Sequence, residues 1–292
     1  MDVAVEKSAA LSPTLSPVRP RIGEILVSSG VLKESDVEKI LAVQRKRGLH
    51  FGEAAVALRI LSERDLRRAL AAQFDYPFVA PGESALSPAL VAAYEPFSQY
   101  TEQLRTLRSQ LLMKWFGSHG TALAVTAPRS GDGCSTLAAN LAIVFAQLGE
   151  RTLLIDTNMR NPAQYGLFGL EANDGLAEVL NGRISVDESL HRIAHFENLY
   201  VLPAGAPPPN PQELLSRLSF TELLEELSAR FDVMLLDTPP LLDYADAQIV
   251  SARTGACLLG TRRHSTTFAD IERAKTQLSP NITTILGAVI SG

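Results

Sequence analysis

The residues with the clearest chemical purpose lie in one stretch, TALAVTAPRSGDGCSTLAANLAIVFAQLG. An apolar run of strand length leads into a glycine-bearing loop, and the loop opens a helix-length segment. Gly131 and Gly133 let successive backbone N–H groups converge, and the positive end of the helix dipole is aimed at the same spot. Such a cradle suits the phosphates of a nucleotide. Arg129, Gly131, Asp132, Gly133, Cys134, Ser135 and Thr136 are the candidate nucleotide-binding residues, and Ser135 stands where a hydroxyl would hold Mg²⁺. The loop carries no lysine, because Cys134 fills the position from which an ammonium would reach the β- and γ-phosphates. A thiol cannot offset the charge that builds up during phosphoryl transfer, and Arg129 is the nearest cation of the loop. A helix N-terminus can stabilise a thiolate, so a redox-sensitive thiol is one reading of Cys134, and plain replacement of a lysine is the simpler one.

Two further runs end in carboxylates. LLIDTNMRNP places Asp156, and FDVMLLDTPP places Asp237, at the C-terminal end of a strand. Ligands of open α/β sheets lie beyond those ends. Asp156 and Asp237 are the candidate catalytic residues and, with Ser135, the candidate Mg²⁺ ligands.

Positioning these groups requires a sheet. TALAVTAP, RTLLID, NLYVLPAG, FDVMLLD, ACLLGTRR and ITTILGAVI are continuously apolar runs separated by helix-length segments. Strands of that kind are covered on both faces, as in a parallel α/β sheet. The expected fold class is α/β, a doubly wound, mainly parallel sheet like that of P-loop NTPases, preceded by a small all-helical tandem-repeat domain. A helix is expected over 103–116, and another begins at Asn210-Pro211-Gln212-Glu213, with an N-cap, Pro at N1 and Glu at N3. His191 and His195 would share a helical face, and surface histidines are the simplest reading of the pair. Cys257 reads as a small buried strand residue.

The repeat is visible when Arg21–Gln44 is set above His50–Gln73: Gly23 falls on Gly52, Leu32 on Leu61, Asp36 on Asp65, Leu41 on Leu70 and Gln44 on Gln73. Each copy reads as a short helix, a turn and a longer helix, with Ser62 and Asp65 forming a cap in the second. One copy cannot bury its apolar face alone, so the two should pack together. The expected division is a disordered tail over 1–19, the helical repeat over 20–79, a Pro- and Ser-rich linker over 80–98 and the nucleotide-type domain over 99–292.

The 292 residues, 46% hydrophobic and 20% charged with a formal net charge of −5, suffice for two cores. No run approaches the ~20 apolar residues of a membrane span. The N-terminus lacks the apolar segment of a secretory signal, and two distant cysteines suit a reducing compartment. Mild acidity argues against nucleic acid as a partner. A cytoplasmic protein is expected.

From Tyr100 onward the chain resembles the bacterial tyrosine-kinase domain of exopolysaccharide systems, and more narrowly the chain-length-determinant tyrosine kinases of the EpsG type. Asp156, Arg160, Pro162 and Asp237 match that family's LLIDADLRRP and DxVxIDTPP motifs, and GLAEVLNG (175–182) and PPNPQELL (208–215) match as well. The resemblance implies ATP and Mg²⁺ as cofactors, and a membrane chain-length determinant (a polysaccharide co-polymerase) as partner at the inner face of the membrane. It also implies a homo-oligomer contact through Glu102, Arg105 and Arg108, the family's ExxRxxR motif. Three departures point to a pseudokinase: Cys134 replaces the loop lysine, Asn158 replaces the second aspartate of the D-x-D pair, and the tyrosines are scattered rather than gathered in a C-terminal cluster. An active ATP-dependent autokinase of the same pathway is the alternative.

The repeat resembles the MshEN domain of secretion and pilus ATPases, which can bind cyclic di-GMP. That resemblance implies a dinucleotide site with Arg21, Gly23 and Gln44 in one half and Gly52 and Gln73 in the other. Arginine can pair with a guanine edge or stack on its face, and glycine permits close approach. A docking module for a protein partner is the competing expectation.

Overall fold

The computed structural model of the chain describes residues 21–73, 76–79, 84–170, 174–279 and 283–292. The expected tail over 1–19 lies outside them. The chain divides into two compact units, with the division at Tyr76/Pro77.

The first unit is four helices, α1 (Ile22–Ser28), α2 (Glu34–Arg47), α3 (Phe51–Ala57) and α4 (Glu63–Gln73). Both short helices start in the same way. Glu24 folds back to accept from the N–H of Arg21 at 2.9 Å, and Glu53 does so from the N–H of His50 at 2.8 Å. The Ser62 hydroxyl accepts from the N–H of Asp65 at 3.2 Å, as its sequence context implies. Equivalent residues of the two copies are buried together: Leu26 with Ala55, Leu32 with Leu61, Ile40 with Ala69. The turn after each short helix contains a left-handed residue, Gly30 (φ 72°) in copy one and Arg59 (φ 56°) in copy two. The second copy therefore keeps the repeat geometry at a backbone cost of about 1 kcal/mol.

The second unit contains α5 (Val91–Tyr94), α6 (Gln99–Leu111), a π-helical turn over Leu112–Phe116, β1 (Ala122–Thr126), α7 (Cys134–Leu148), β2 (Thr152–Asp156), α8 (Gln164–Phe168), α9 (Leu176–Leu180) and α10 (Val186–Ser189). Then follow β3 (His191–Arg192), β4 (Leu199–Leu202), α11 (Pro211–Ser216), α12 (Leu218–Ser228), β5 (Val233–Asp237), α13 (Asp246–Thr254), β6 (Ala256–Arg262), α14 (Phe268–Leu278) and β7 (Thr284–Ser291). The strands form one sheet in the order β3-β4-β2-β5-β1-β6-β7. Every pairing is parallel except β3 with β4. Alternation along the strands feeds a core on each face. Leu154, Val233 and Leu235 point to the α7 side, while Leu153, Ile155, Met234 and Leu236 point to the side packed by α9, α12 and α13. The doubly wound α/β fold is thus present.

Two expectations need correction. Residues 84–98 are not a linker: Leu86, Leu90, Ala92 and Ala93 are buried in the α7-side core. Buried Asn140 on α7 accepts from the N–H of Ala92 at 2.9 Å and donates to the carbonyl of Ala89 at 3.0 Å. Gln147, one helical face further on, donates to the carbonyls of Pro77 and Ala92. Helix side chains thus satisfy the backbone of this Pro- and Ser-rich segment. His191 and His195 do not share a helix either, because the chain leaves α10 at Leu190 and His191 joins β3.

Candidate functional site

The loop between β1 and α7 curls as its glycines require. Gly131 (φ 85°) and Gly133 (φ 84°) both occupy the left-handed region, which side-chain-bearing residues rarely adopt. Gly133 is the N-cap of α7, and no side chain caps that helix. The first-turn N–H groups of Cys134, Ser135 and Thr136 are therefore left facing a cavity of about 630 Å³. Arg129, Gly131, Asp132, Gly133, Cys134, Ser135 and Thr136 all border it. Asp132 serves the loop itself, since its Oδ2 accepts from the Arg129 N–H at 3.0 Å.

Parallel pairing of β2 with β5 sets Asp156 directly beside Asp237, and both are fully buried beneath the cavity. Asp156 Oδ1 accepts from the N–H of Asn158, and its Oδ2 from those of Ala163 and Gln164, each at 3.0 Å. Its carboxylate thereby closes the β2 turn and caps α8. Asn158 continues the turn, with Oδ1 accepting from the Asn161 N–H at 3.2 Å. Asp237 Oδ2 accepts from Gln164 Nε2 at 2.7 Å, and the Ser135 hydroxyl also bonds this carboxylate. Burial pushes both acids above the usual carboxylate range, and for Asp156 the neighbouring Asp237 charge adds to that.

The Cys134 side chain is hydrogen-bonded into the sheet. Its thiol donates to the Val125 carbonyl at 3.1 Å and lies 3.5 Å from Asp237 Oδ1. Burial first, and the Asp237 charge second, hold it well above the ordinary thiol range. Desolvation and the Asp237 carboxylate thus outweigh the helix dipole, against the redox-sensitive reading of this thiol. Arg129 is drawn to the rim by Asp270, at 2.7 Å, which keeps the Asp270 carboxyl well below its usual range.

The residues present fit a nucleotide with Mg²⁺. The uncapped helix start suits an anion, while Ser135 and Asp237 form a hydroxyl and carboxylate pair. Buried Gln164 Oε1 lacks a partner among the described residues, so polar capacity remains at the metal position.

An expected outcome follows from the raised acids. A carboxyl bound more tightly to its proton when folded than the unfolded ~3.9 gives stability that is present at low pH and lost as pH rises through the folded value. With Asp237 at about 6 and Asp156 at about 8, the chelator-treated protein should lose stability steadily between pH 5 and pH 8. Asp237→Asn should raise stability at pH 8 by on the order of 2 kcal/mol and flatten that slope. Asp156→Asn should not, because an amide cannot accept three N–H groups from both sides. Thermal melts across that pH range read both effects.

Sequence reasoning did not find Gln164, Arg262, or the Asp246 and Tyr244 partners of Arg160. Arg160 forms a bidentate pair with buried Asp246, with Nε at 2.5 Å and Nη2 at 3.2 Å, and lies 4.4 Å from the Tyr244 ring centroid. Arg262 Nη1 donates to the Gly131 carbonyl at 3.1 Å. The clue available for Tyr244 and Asp246 was that they lie in the segment that follows the Asp237 strand end, and for Arg262 that it ends a strand.

The expected subunit stripe lies on α6, but its arginines are engaged inside the chain. Arg105 bonds Glu102 at 2.9 Å and the Pro96 carbonyl, and Arg108 donates to the Val144 carbonyl at 2.7 Å. In the helical unit, Arg21, Gly23 and Gln44 border one groove of about 740 Å³ together with Phe51. Gly52 and Gln73 do not border it. Gly52 is a packing residue, since a Cβ there would stand 2.5 Å from Leu66. No helix among the described residues is long and apolar enough to cross a membrane.

Comparison with known proteins adds to this geometry. A family model described as an AAA domain matches residues 120–254. The tyrosine-protein kinase YwqD of Bacillus subtilis is 36% identical over 203 residues, 70% of this chain and 85% of the relative. The tyrosine-protein kinase Wzc of Salmonella typhi is 33% identical over 202 residues, 69% of this chain and 28% of that longer protein. The kinase domain of the Escherichia coli tyrosine kinase ETK superposes with a TM-score of 0.68 at 28% identity, covering 72% of this chain and 81% of that one.

Proposed function

The chain belongs to the bacterial tyrosine-protein kinase family, and on that premise we propose that it is a kinase-like regulator of exopolysaccharide polymerisation, export and chain length that has lost most of its phosphotransfer. Loop 129–136 holds ATP through its backbone N–H groups, with Ser135 and Asp237 as Mg²⁺ ligands. When bound, the metal would supply charge neutralisation between the phosphates. A membrane chain-length determinant is the partner that the sheet unit meets from the cytoplasm.

One observation carries the reading. The side chain at the loop's catalytic position is a neutral thiol hydrogen-bonded into the sheet, so no ammonium stands over the phosphates. Labelled ATP·Mg²⁺ tests it. Bound label without phosphotyrosine on the protein supports the reading, whereas abundant phosphotyrosine that disappears in Asp237→Ala establishes the active autokinase instead.

The helical unit supplies the sensing. Cyclic di-GMP occupies the groove bounded by Arg21, Gly23 and Gln44, with one guanine against Arg21 and Phe51. In support, Arg21, Gly23, Gln44 and the Phe51 ring all border the same groove. Calorimetry on the full chain should detect binding, and Arg21→Ala should weaken it by about tenfold. No heat from the dinucleotide at tens of micromolar protein would return this unit to a protein-docking role.

A further inference from the structure

We infer that Arg262 supplies the cation that the phosphate loop lacks. The inference rests on the nucleotide reading of the same cavity and assigns the residue that meets its phosphate charge. Three arginines border the cavity, Arg129, Arg160 and Arg262. Two of them are locally neutralised. Arg129 is paired with Asp270 at 2.7 Å, and Arg160 is held by both oxygens of buried Asp246. Arg262 has no carboxylate within 4.0 Å among the described residues.

Its position is set by the fold. β6 lies beside β1, the strand that leads into the loop, and Arg262 is the last residue of β6. A tight turn fixes it there. The Arg262 N–H donates to Thr266 Oγ1 at 2.8 Å, and its carbonyl accepts from the N–H groups of Ser265 and Thr266. From that anchor the guanidinium crosses to the loop, and Nη1 donates to the carbonyl of Gly131, between the two left-handed glycines. Guanidinium has five N–H donors in a fork that suits phosphate oxygens, so one bond to the loop leaves most of them for a ligand. A cation without a counter-charge, beside the uncapped start of α7, is where a di- or triphosphate gains most. Arg262 thus offers a bound phosphate a positive charge at the loop, without standing where a position-134 ammonium would act on the transferred group. Cys134 adds no competing positive charge, since its thiol is engaged with Val125.

The test is calorimetry of ADP and of inorganic pyrophosphate, each with Mg²⁺, on the full chain. Arg262→Ala should weaken both by about tenfold with an unchanged thermal midpoint, because the side chain is exposed. Arg262→Lys should retain most of the affinity. Arg151→Ala should change it by less than about threefold, because that arginine pairs with Asp232 and does not border the cavity. Cys134→Lys placed in the Arg262→Ala background should restore binding. Wild-type affinity in Arg262→Ala overturns the inference alone. Weakening without rescue by Cys134→Lys overturns it too, since Arg262 would then act only on loop shape. A wild type that binds neither ADP nor pyrophosphate overturns the nucleotide reading and the inference together.

Discussion

Cys134→Lys is expected to raise ATP turnover by about a hundredfold. The magnitude is that of restoring one charged donor to the transition state of a group transfer. Uncapped N–H groups at the start of α7, the Ser135 hydroxyl bonded to Asp237, and Asp156 beside it are in place near the loop. On the proposed reading the largest missing part is an ammonium over the phosphates, with Asn158 for aspartate a smaller one. The new lysine would also lie next to two buried carboxylates whose mutual repulsion is uncompensated, so the variant should melt higher than the wild type at pH 8. Turnover measured by phosphate release, with Cys134→Ala as the matched control, decides the point. A lysine variant as slow as the alanine variant would show that the missing charge is not what silences the site.

Arg160→Ala is expected to destabilise the sheet unit by about 3–5 kcal/mol, the usual consequence of leaving a buried charge without its partner. Asp246 is 1% exposed, and both its oxygens are engaged by Arg160, so truncation leaves a buried carboxylate without its cation. Tyr244 loses the guanidinium stacked on its ring, and with it one wall of the cavity. Adding Asp246→Asn should recover much of the loss, because the unpaired charge rather than the lost contact dominates. Urea denaturation of the two single variants and the double variant reads this directly. A loss in Arg160→Ala below about 1 kcal/mol would place the pair among ordinary surface ion pairs.

Much of this was legible in the sequence because it is written locally. The repeat shows as aligned residues, and the structure buries Leu32 with Leu61 and Ile40 with Ala69 as the alignment implies. The strands show as apolar runs, and the phosphate loop as glycines at a strand-to-helix junction. Asp156 and Asp237 end neighbouring strands, and parallel register makes them a pair. What was not legible depends on residues distant in sequence. The segment over 84–98 has the composition of a linker, and its backbone is satisfied in the core by partners distant in sequence, among them Asn140 and Gln147 reaching from α7. Gln164 gave no signal because its role exists only once α8 is brought against β5. β3 is two residues long and too short for any periodicity. Arg262 read as one more charge after a strand, since nothing in sequence says that its neighbours Arg129 and Arg160 are paired elsewhere.

The most direct measurement is intact-mass spectrometry of the protein incubated with ATP·Mg²⁺, alone and with the proposed membrane partner. The wild type should keep the mass of the starting protein throughout the incubation. A ladder of phosphate additions on the wild type, mapped to tyrosine and abolished by Asp237→Ala, would contradict it.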